Sequence, residues 1–258
     1  MTNPSLNFVP ETGSTNADLA ALFAAGNPLA EATWLIADRQ TSGRGRLGRM
    51  WHDGAGNFMG STLVRLRRDD PPAHSLALVT ALCVTEALDS VSEGHPSAPH
   101  IQIKWPNDIM VGGAKIAGIL LERHGDYVVI GAGVNLTSAP PLDDRATIAL
   151  GTLGITVARN DFASVLAQKV ATALVRWRSG DWPDRVIADW LARAHCVGTP
   201  LTLTEGEHAG MRGAFDGLNQ DGSLILRLAN GSVTAIHAGE VRLSMTSDEE
   251  GTSHAAGD

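Results

Sequence analysis

At 258 residues the chain can bury one full core and a second, smaller one, and its 43% hydrophobic content is ordinary for a globular protein. The formal net charge is −8. Residues 246–258 hold four acids and no Lys or Arg, so the remainder carries 20 − 24 = −4. That balance disfavours broad nucleic-acid binding, which needs an extended basic face. No apolar run approaches a membrane span, and no basic-then-apolar leader opens the chain.

Leu6–Val9 is expected as the first strand. Ser14-Thr15-Asn16 then offers cap chemistry before Leu19, Leu22 and Phe23, which are spaced as on a helix that Gly26 ends. Thr33–Ala37 reads as a buried strand leading into a glycine- and arginine-rich loop. Asn57–Val64 is the strand after it. Residues 73–91 read as a long apolar helix. It contains Cys83, expected as a buried thiol. With Cys196 as the second of two cysteines, there is neither metal spacing nor a disulfide framework. The cytoplasm is the expected compartment.

Ile101–Lys104 is a strand and Trp105-Pro106-Asn107-Asp108 a turn. Ile109–Val111, Gly112-Gly113 and Lys115–Glu122 form a hairpin pattern. Tyr127–Ile130 runs into Gly131-Ala132-Gly133-Val134-Asn135. Residues 161–178 place Phe162, Val165, Leu166, Val170, Ala173, Leu174 and Trp177 on one helical face. A shorter helix spans about 184–193. From Gly198 the texture changes to five short strands: Leu201–Thr204, Met211–Phe215, Ser223–Leu228, Val233–Ile236 and Val241–Met245. These suggest a small β-barrel. The expected organisation is an α+β domain over 1–195, the barrel over 196–246, and a disordered polar tail over 247–258.

The loop reads Gly43-Arg44-Gly45-Arg46-Leu47-Gly48-Arg49. Its glycines let backbone approach a ligand, and its guanidinium forks match phosphate and carboxylate oxygens. In an acidic chain this is a local anion site, or else a flexible Arg-Gly segment. Only three of the 20 basic residues are lysines: Lys104, Lys115 and Lys169. Two of them fall within 104–115. A site that needs a compact ammonium keeps Lys against such a bias. Lys169 reads as the edge of an amphipathic helix. No phosphate-binding P-loop, zinc helix or nucleophile elbow is present.

Ser-Thr-Asn by itself is a helix cap, Trp-Pro-Asn-Asp a turn, and Gly-Ala-Gly tight strand packing. Their order points elsewhere. Ser14-Thr15-Asn16 is followed by Asp38 to Trp51 (Asp-Arg-Gln-Thr-Ser-Gly-Arg-Gly-Arg-Leu-Gly-Arg-Met-Trp). Then come Lys104-Trp-Pro-Asn-Asp108, Lys115-Ile-Ala-Gly-Ile-Leu-Leu-Glu122 and Gly131-Ala-Gly-Val-Asn135. From about residue 8 to 136 this resembles the biotin protein ligases, the biotin–[acetyl-CoA-carboxylase] ligases. The resemblance implies a mixed β-sheet with helices, like the class II aminoacyl-tRNA synthetase catalytic domain, followed by an SH3-like barrel.

It also implies two steps. Biotin and ATP, with Mg²⁺, give biotinyl-5′-AMP and pyrophosphate. A lysine on a biotin carboxyl carrier domain then attacks, releasing AMP. By the same resemblance, Arg44 and Arg46 lie over the carboxylate and α-phosphate, and Arg49 reaches the outer phosphates. Lys115 bridges the nascent anhydride, and Trp51 offers a face to adenine. Ser14, Thr15, Asn16 and Gln40 bond the polar ends of biotin. Gly43, Gly45 and Gly118 admit ligand close to backbone. Asn107 and Asn135 hold nucleotide groups or the metal shell. Asp108 is either a turn residue, a group that orients or deprotonates the acceptor lysine, or one that faces Mg²⁺. With the first strand near residue 6, the chain reads as a ligase-only form without the DNA-binding module of many relatives, acting as monomer or homodimer, away from DNA and membrane. A lipoate ligase would carry a different Arg-Arg-x-Ser-Gly-Gly-Gly type loop. A nucleic-acid module would need clustered aromatics, and there is a single Tyr. A non-catalytic biotin sensor would have no use for Lys115 and all three arginines.

Overall fold

The computed structural model describes residues 4–26, 30–52, 54–180 and 182–243. The expected tail over 247–258, and the end of the strand expected to reach Met245, lie outside the described residues. The chain forms two compact units. One comprises residues 1–195 with 220–222, the other 196–219 with 223–258.

The first unit is built on a seven-stranded sheet in the order β1-β2-β3-β7-β6-β5-β4. The strands are β1 (Leu6–Thr12), β2 (Trp34–Gln40), β3 (Phe58–Arg65), β4 (Ile101–Lys104), β5 (Asp108–Val111), β6 (Ala114–His124) and β7 (Tyr127–Val134). Only β1 and β2 pair in parallel, across the helix α1 (Thr15–Ala24). The strand expected over Leu6–Val9 is longer than the sequence suggests, although Pro10 lacks a ladder donor. The structure carries β1 on to Thr12. Pro10 is tolerated because β1 is an edge strand, and Val9 and Glu11 on either side of it pair with Ala37 and Arg39.

Side-chain alternation gives the sheet two buried faces. Leu35, Leu63 and Val129 pack with Leu19 of α1 on one. On the other, Trp34 and Phe58 meet Phe162 of α3 (Arg159–Arg178), with Phe58 and Phe162 edge to face at 5.3 Å. The α3 face is as expected at Phe162, Leu166, Val170, Leu174 and Trp177. Ala163 and Ala167 are buried where Val165 and Ala173 were expected, and those two sit at its half-buried margin. Helix α2 (Leu76–Ser92) packs beside α3 and against β4, β5 and β6, and α4 (Asp184–Leu191) packs on α2. One expectation needs correction. Residues 73–92 are long and apolar enough, at a mean hydropathy of 1.4, to match a membrane span by composition. Their apolarity is that of a core helix, because 72% of the apolar 18-residue window within it is buried in the protein. Cys83 lies in it as a buried thiol.

The second unit is one antiparallel sheet in the order β11-β10-β9-β8-β12. Its strands are β8 (Pro200–Glu205), β9 (Arg212–Leu218), β10 (Leu224–Arg227), β11 (Val233–Ile236) and β12 (Glu240–Leu243). The strands alternate into a small core of Leu201, Leu203, Phe215, Leu224, Leu226, Ile236 and Val241. Among the described residues the ladders do not close β11 onto β12 as a barrel.

The C-terminal end of α3 is fastened by one guanidinium. Arg178 donates to Glu31 at 2.6 and 2.8 Å, to Asp70 at 3.1 Å and to the Arg65 carbonyl at 2.8 Å. Asp70 is 5% exposed at this pair, so it depends on Arg178 for its counter-charge. Arg178→Met is expected to cost about 2 kcal/mol, less than a fully buried pair because Glu31 is partly solvated. The urea midpoint should fall at unchanged m-value.

Candidate active site

Cross-strand pairing puts one line of residues on the α1 face. Lys104 faces Asp108, Asp108 faces Gly118, Gly118 faces Gly133, and Gly133 faces Met59. The next line on that face includes Gly131, Ser61 and Leu35. Directly paired residues share a face, so three glycines leave a strip of bare backbone. Trp51 lies on it. A Cβ on Gly133 would collide with the indole, and one on Gly118 would stand 3.2 Å from its ring and 2.9 Å from the Lys115 ammonium.

At one end of the strip is a charge cluster. The Lys115 Nζ is 2.5 Å from Asp108 Oδ1, and the Lys104 Nζ is 3.0 Å from Oδ2. Both lysines are nearly buried, and Asp108 is 4% exposed. Lys115 also lies 5.8 Å from the Trp51 ring centre, within cation–π range. Burial alone would raise the Asp108 carboxyl, but Lys115 and then Lys104 overturn it and hold it at about 2.

At the other end is a hydrogen-bond network. The Thr15 N–H donates to Gln40 Oε1 at 2.8 Å, and the Thr15 hydroxyl lies 3.1 Å from the same oxygen. The Thr15 and Ser61 hydroxyls share a bond of 2.6 Å, and Ser61 donates to Asn16 Oδ1 at 2.5 Å. Asn16 Nδ2 donates to Glu122 at 2.7 Å, and its side chain lies over Gly131. Ser14 has the extended backbone of a helix N-cap, yet its hydroxyl bonds no helix N–H. Capping therefore does not account for this buried side chain.

The arginine loop folds on itself. Gly45 N–H donates to the Arg49 carbonyl at 2.7 Å and Trp51 N–H to the Gly43 carbonyl at 2.9 Å, with Arg44 bridged to Met50. The short turn at 46–48 holds Leu47 at a φ of 59°. Arg46 is tied inward, donating to Asn107 Oδ1 at 3.2 Å. Asn107 in turn donates to the Ile119 carbonyl at 2.6 Å. Arg44 is exposed. The charge of Arg49 is felt at Asp144. Asn135 directly follows β7, is buried, and donates to the Ile148 carbonyl at 3.2 Å.

The structure thus joins Lys115, Asp108, Gly118 and Trp51 in one group, Thr15, Asn16 and Gln40 in a second, and Arg46 with Asn107 in a third. Sequence reasoning missed Ser61, Glu122 and the individual part of Gly133. Ser61 was visible as one of two adjacent hydroxyls, with Thr62, in a mostly apolar strand, and Glu122 as the polar end of a string that ran Ile-Leu-Leu. Which face of the sheet they share is set by register, which no local pattern reveals.

A carboxyl held at about 2 stabilises the fold in full above its ordinary value of 3.8, and loses that contribution as pH falls through about 2. The contribution is on the order of 2 kcal/mol. Between pH 4 and 2 the unfolding midpoint of the native chain should fall more steeply than that of Asp108→Asn. Parallel slopes would mean that the cluster does not form.

Residues 13–135 match the model of the biotin/lipoate A/B protein ligase family. Over 236 residues the chain is 38% identical to a biotin–[acetyl-CoA-carboxylase] ligase of Paracoccus denitrificans, covering 85% of this chain and 93% of that one. It is 34% identical over 240 residues to one from Mycobacterium tuberculosis, covering 92% and 88%. The bifunctional ligase/repressor BirA of Escherichia coli is 30% identical over 218 residues, 81% of this chain and 65% of BirA. Among solved structures, the biotin protein ligase from Aquifex aeolicus in complex with biotin and ATP matches with a TM-score of 0.80 at 26% identity, covering 93% of this chain and 98% of that one. The strip, the charge cluster, the polar network and the arginine loop all fall inside the span that matches the family model. The chain belongs to the biotin/lipoate A/B protein ligase family, and within it to the biotin–[acetyl-CoA-carboxylase] ligases.

Proposed function

We propose that the chain joins biotin to ATP as biotinyl-5′-AMP and passes the biotinyl group to a lysine of a biotin carboxyl carrier domain. The observation that carries this reading is the glycine strip, with hydrogen-bonding groups at one end and Lys115 at the other. Trp51 and Asn16 lie on that strip, and a slender ligand with a polar head and an acid tail fits along them from one end to the other. Thr15, Asn16 and Gln40 are preoriented by their mutual bonds to receive the head. Ser14 completes that end.

In the first step a biotin carboxylate oxygen bonds to the α-phosphorus, and the bond from that phosphorus to the pyrophosphate oxygen breaks. Two anions meet, and negative charge grows on the α-phosphate. Fixed cations in a partly dry site offset both effects. Lys115 and Arg46 are assigned this work, with Arg44 beside them and Arg49 toward the outer phosphates. Trp51 covers the strip and offers its other face to the adenylate. In the second step the acceptor amine attacks the acyl carbon, and the carbon–oxygen bond to AMP breaks. A carboxyl at about 2 is a poor acceptor for the amine's proton. Asp108 is therefore assigned to holding Lys115, and the proton leaves to solvent.

Among the described residues no three His, Cys, Asp or Glu side chains gather to hold a metal, and Asp108 is already ion-paired. The residues do not fit a protein-held Mg²⁺. Magnesium enters with the nucleotide phosphates, as part of that substrate. The names of the relatives support a carboxylase carrier as acceptor. Cys83 and Cys196 are free thiols, which supports a reducing cytoplasm.

The direct test is intact-mass analysis of a carrier domain after incubation with the chain, ATP and biotin. A biotinyl adduct is expected; no adduct, or one formed only with lipoate, would overturn the reading. Arg46→Ala and Lys115→Ala should each fold and slow pyrophosphate release by about 10² or more. Lys115→Arg should not rescue, because a guanidinium is too wide for the gap between Asp108, Gly118 and the indole. Gly133→Ala should push the indole off the strand and weaken biotin binding in calorimetry, while the far-ultraviolet circular dichroism stays native.

A further inference from the structure

Lys104 ends β4, two strands beyond the glycine strip, and is the outer member of the line Lys104–Asp108–Gly118–Gly133. Its ammonium holds one oxygen of the Asp108 carboxylate while Lys115 holds the other. It is only 13% exposed. This chain uses Arg for 17 of its 20 cations, and Lys104 is among the three exceptions.

The charges pose a problem that Lys104 solves. A lysine stem has four rotatable carbons, so Lys115 needs an anchor to stay in one place. Asp108 is that anchor, at 2.5 Å. Yet a carboxylate so close turns the ammonium into half of a neutral dipole, whose field falls off faster than that of a charge. A dipole is a poor partner for a carboxylate meeting a triphosphate. With Lys104 on the other oxygen, the cluster sums to one net positive charge. His195 adds none: burial, and then Lys104, hold its pKa below the ordinary value, so the ring is neutral.

We propose that Lys104 is a positioning residue that neutralises Asp108, so that Lys115 is anchored by a carboxylate and still presents a net positive charge to the reacting anions. This rests on the adenylation reading of the same site.

The test is single-turnover formation of biotinyl-AMP by the full chain and three variants: Lys104→Met, Asp108→Asn, and the two combined. The cluster charge is then zero, two and one, against one in the native chain. Lys104→Met should slow adenylation by about tenfold or more, less than loss of Lys115 itself because Lys104 acts through another group. The double variant, with its net charge restored, should be faster than Lys104→Met alone. Structural damage predicts the opposite, since two lesions in one buried cluster should be worse than one. A double variant no faster than Lys104→Met, or a Lys104→Met of native rate, overturns the proposal. A native chain that makes no biotinyl-AMP overturns instead the function on which it rests. Should Lys104→Met fail to fold, Lys104→Gln, which keeps a polar end, takes its place in both arms.

Discussion

A side chain can lie flat against a β-sheet only where the sheet gives up its own, as the Trp51 indole does over Gly118 and Gly133 and the Asn16 amide over Gly131. Here Gly118, Gly131 and Gly133 do so together, in the two strands best placed to lose them. Strand β7 pairs with β3 on one side and β6 on the other along its whole length. Glycine weakens a strand by its backbone freedom and by the packing it omits. Two full ladders and the buried run Val128–Val129–Ile130 offset that loss. An edge strand such as β1 could not carry such a gap. The site is therefore central in the sheet because strands that carry so many glycines have to be central.

The rest of the site arranges itself around this bare strip. Compact ammonium groups stand next to it, where space is short, and the wide guanidinium forks stand in the loop, where space is open. Arg46 is tied inward, through Asn107 to the backbone of β6. The same turn that ends β4 thus orients an arginine with Asn107 and fixes a lysine with Asp108. A four-residue turn can do both because its two polar side chains sit side by side at the start of β5.

Much of this was legible in the sequence. The apolar run of β3, the glycine turn between β5 and β6 and the cap before α1 each carry a local pattern. So do the chemistry-bearing strings, each short and contiguous. What was not legible is what register decides. Ser61 and Gly131 face each other across strands seventy residues apart in the chain, and nothing near either announces it. Asp108 reads from the sequence as a turn residue, a group acting on the acceptor lysine, or one facing Mg²⁺, and its two lysine neighbours come from different strands. Only their convergence shows a carboxylate already taken. The apolar stretch at 73–92 shows the reverse limit: its composition is clear, but burial in a core, not composition, decides what it is.

The arginine loop has a further consequence. Its backbone closes twice on itself, from Gly45 to Arg49 and from Trp51 to Gly43, so its three cations share one frame. At Gly43 any side chain would press on the Trp51 carbonyl, which leaves that frame no slack. Cations on a common rigid frame are displaced together. Damage at one should therefore be felt at all three, and substitutions there should combine as partial duplicates of one injury, not as a sum of separate ones. The loop is in effect a single three-pronged part, inherited or lost as a whole.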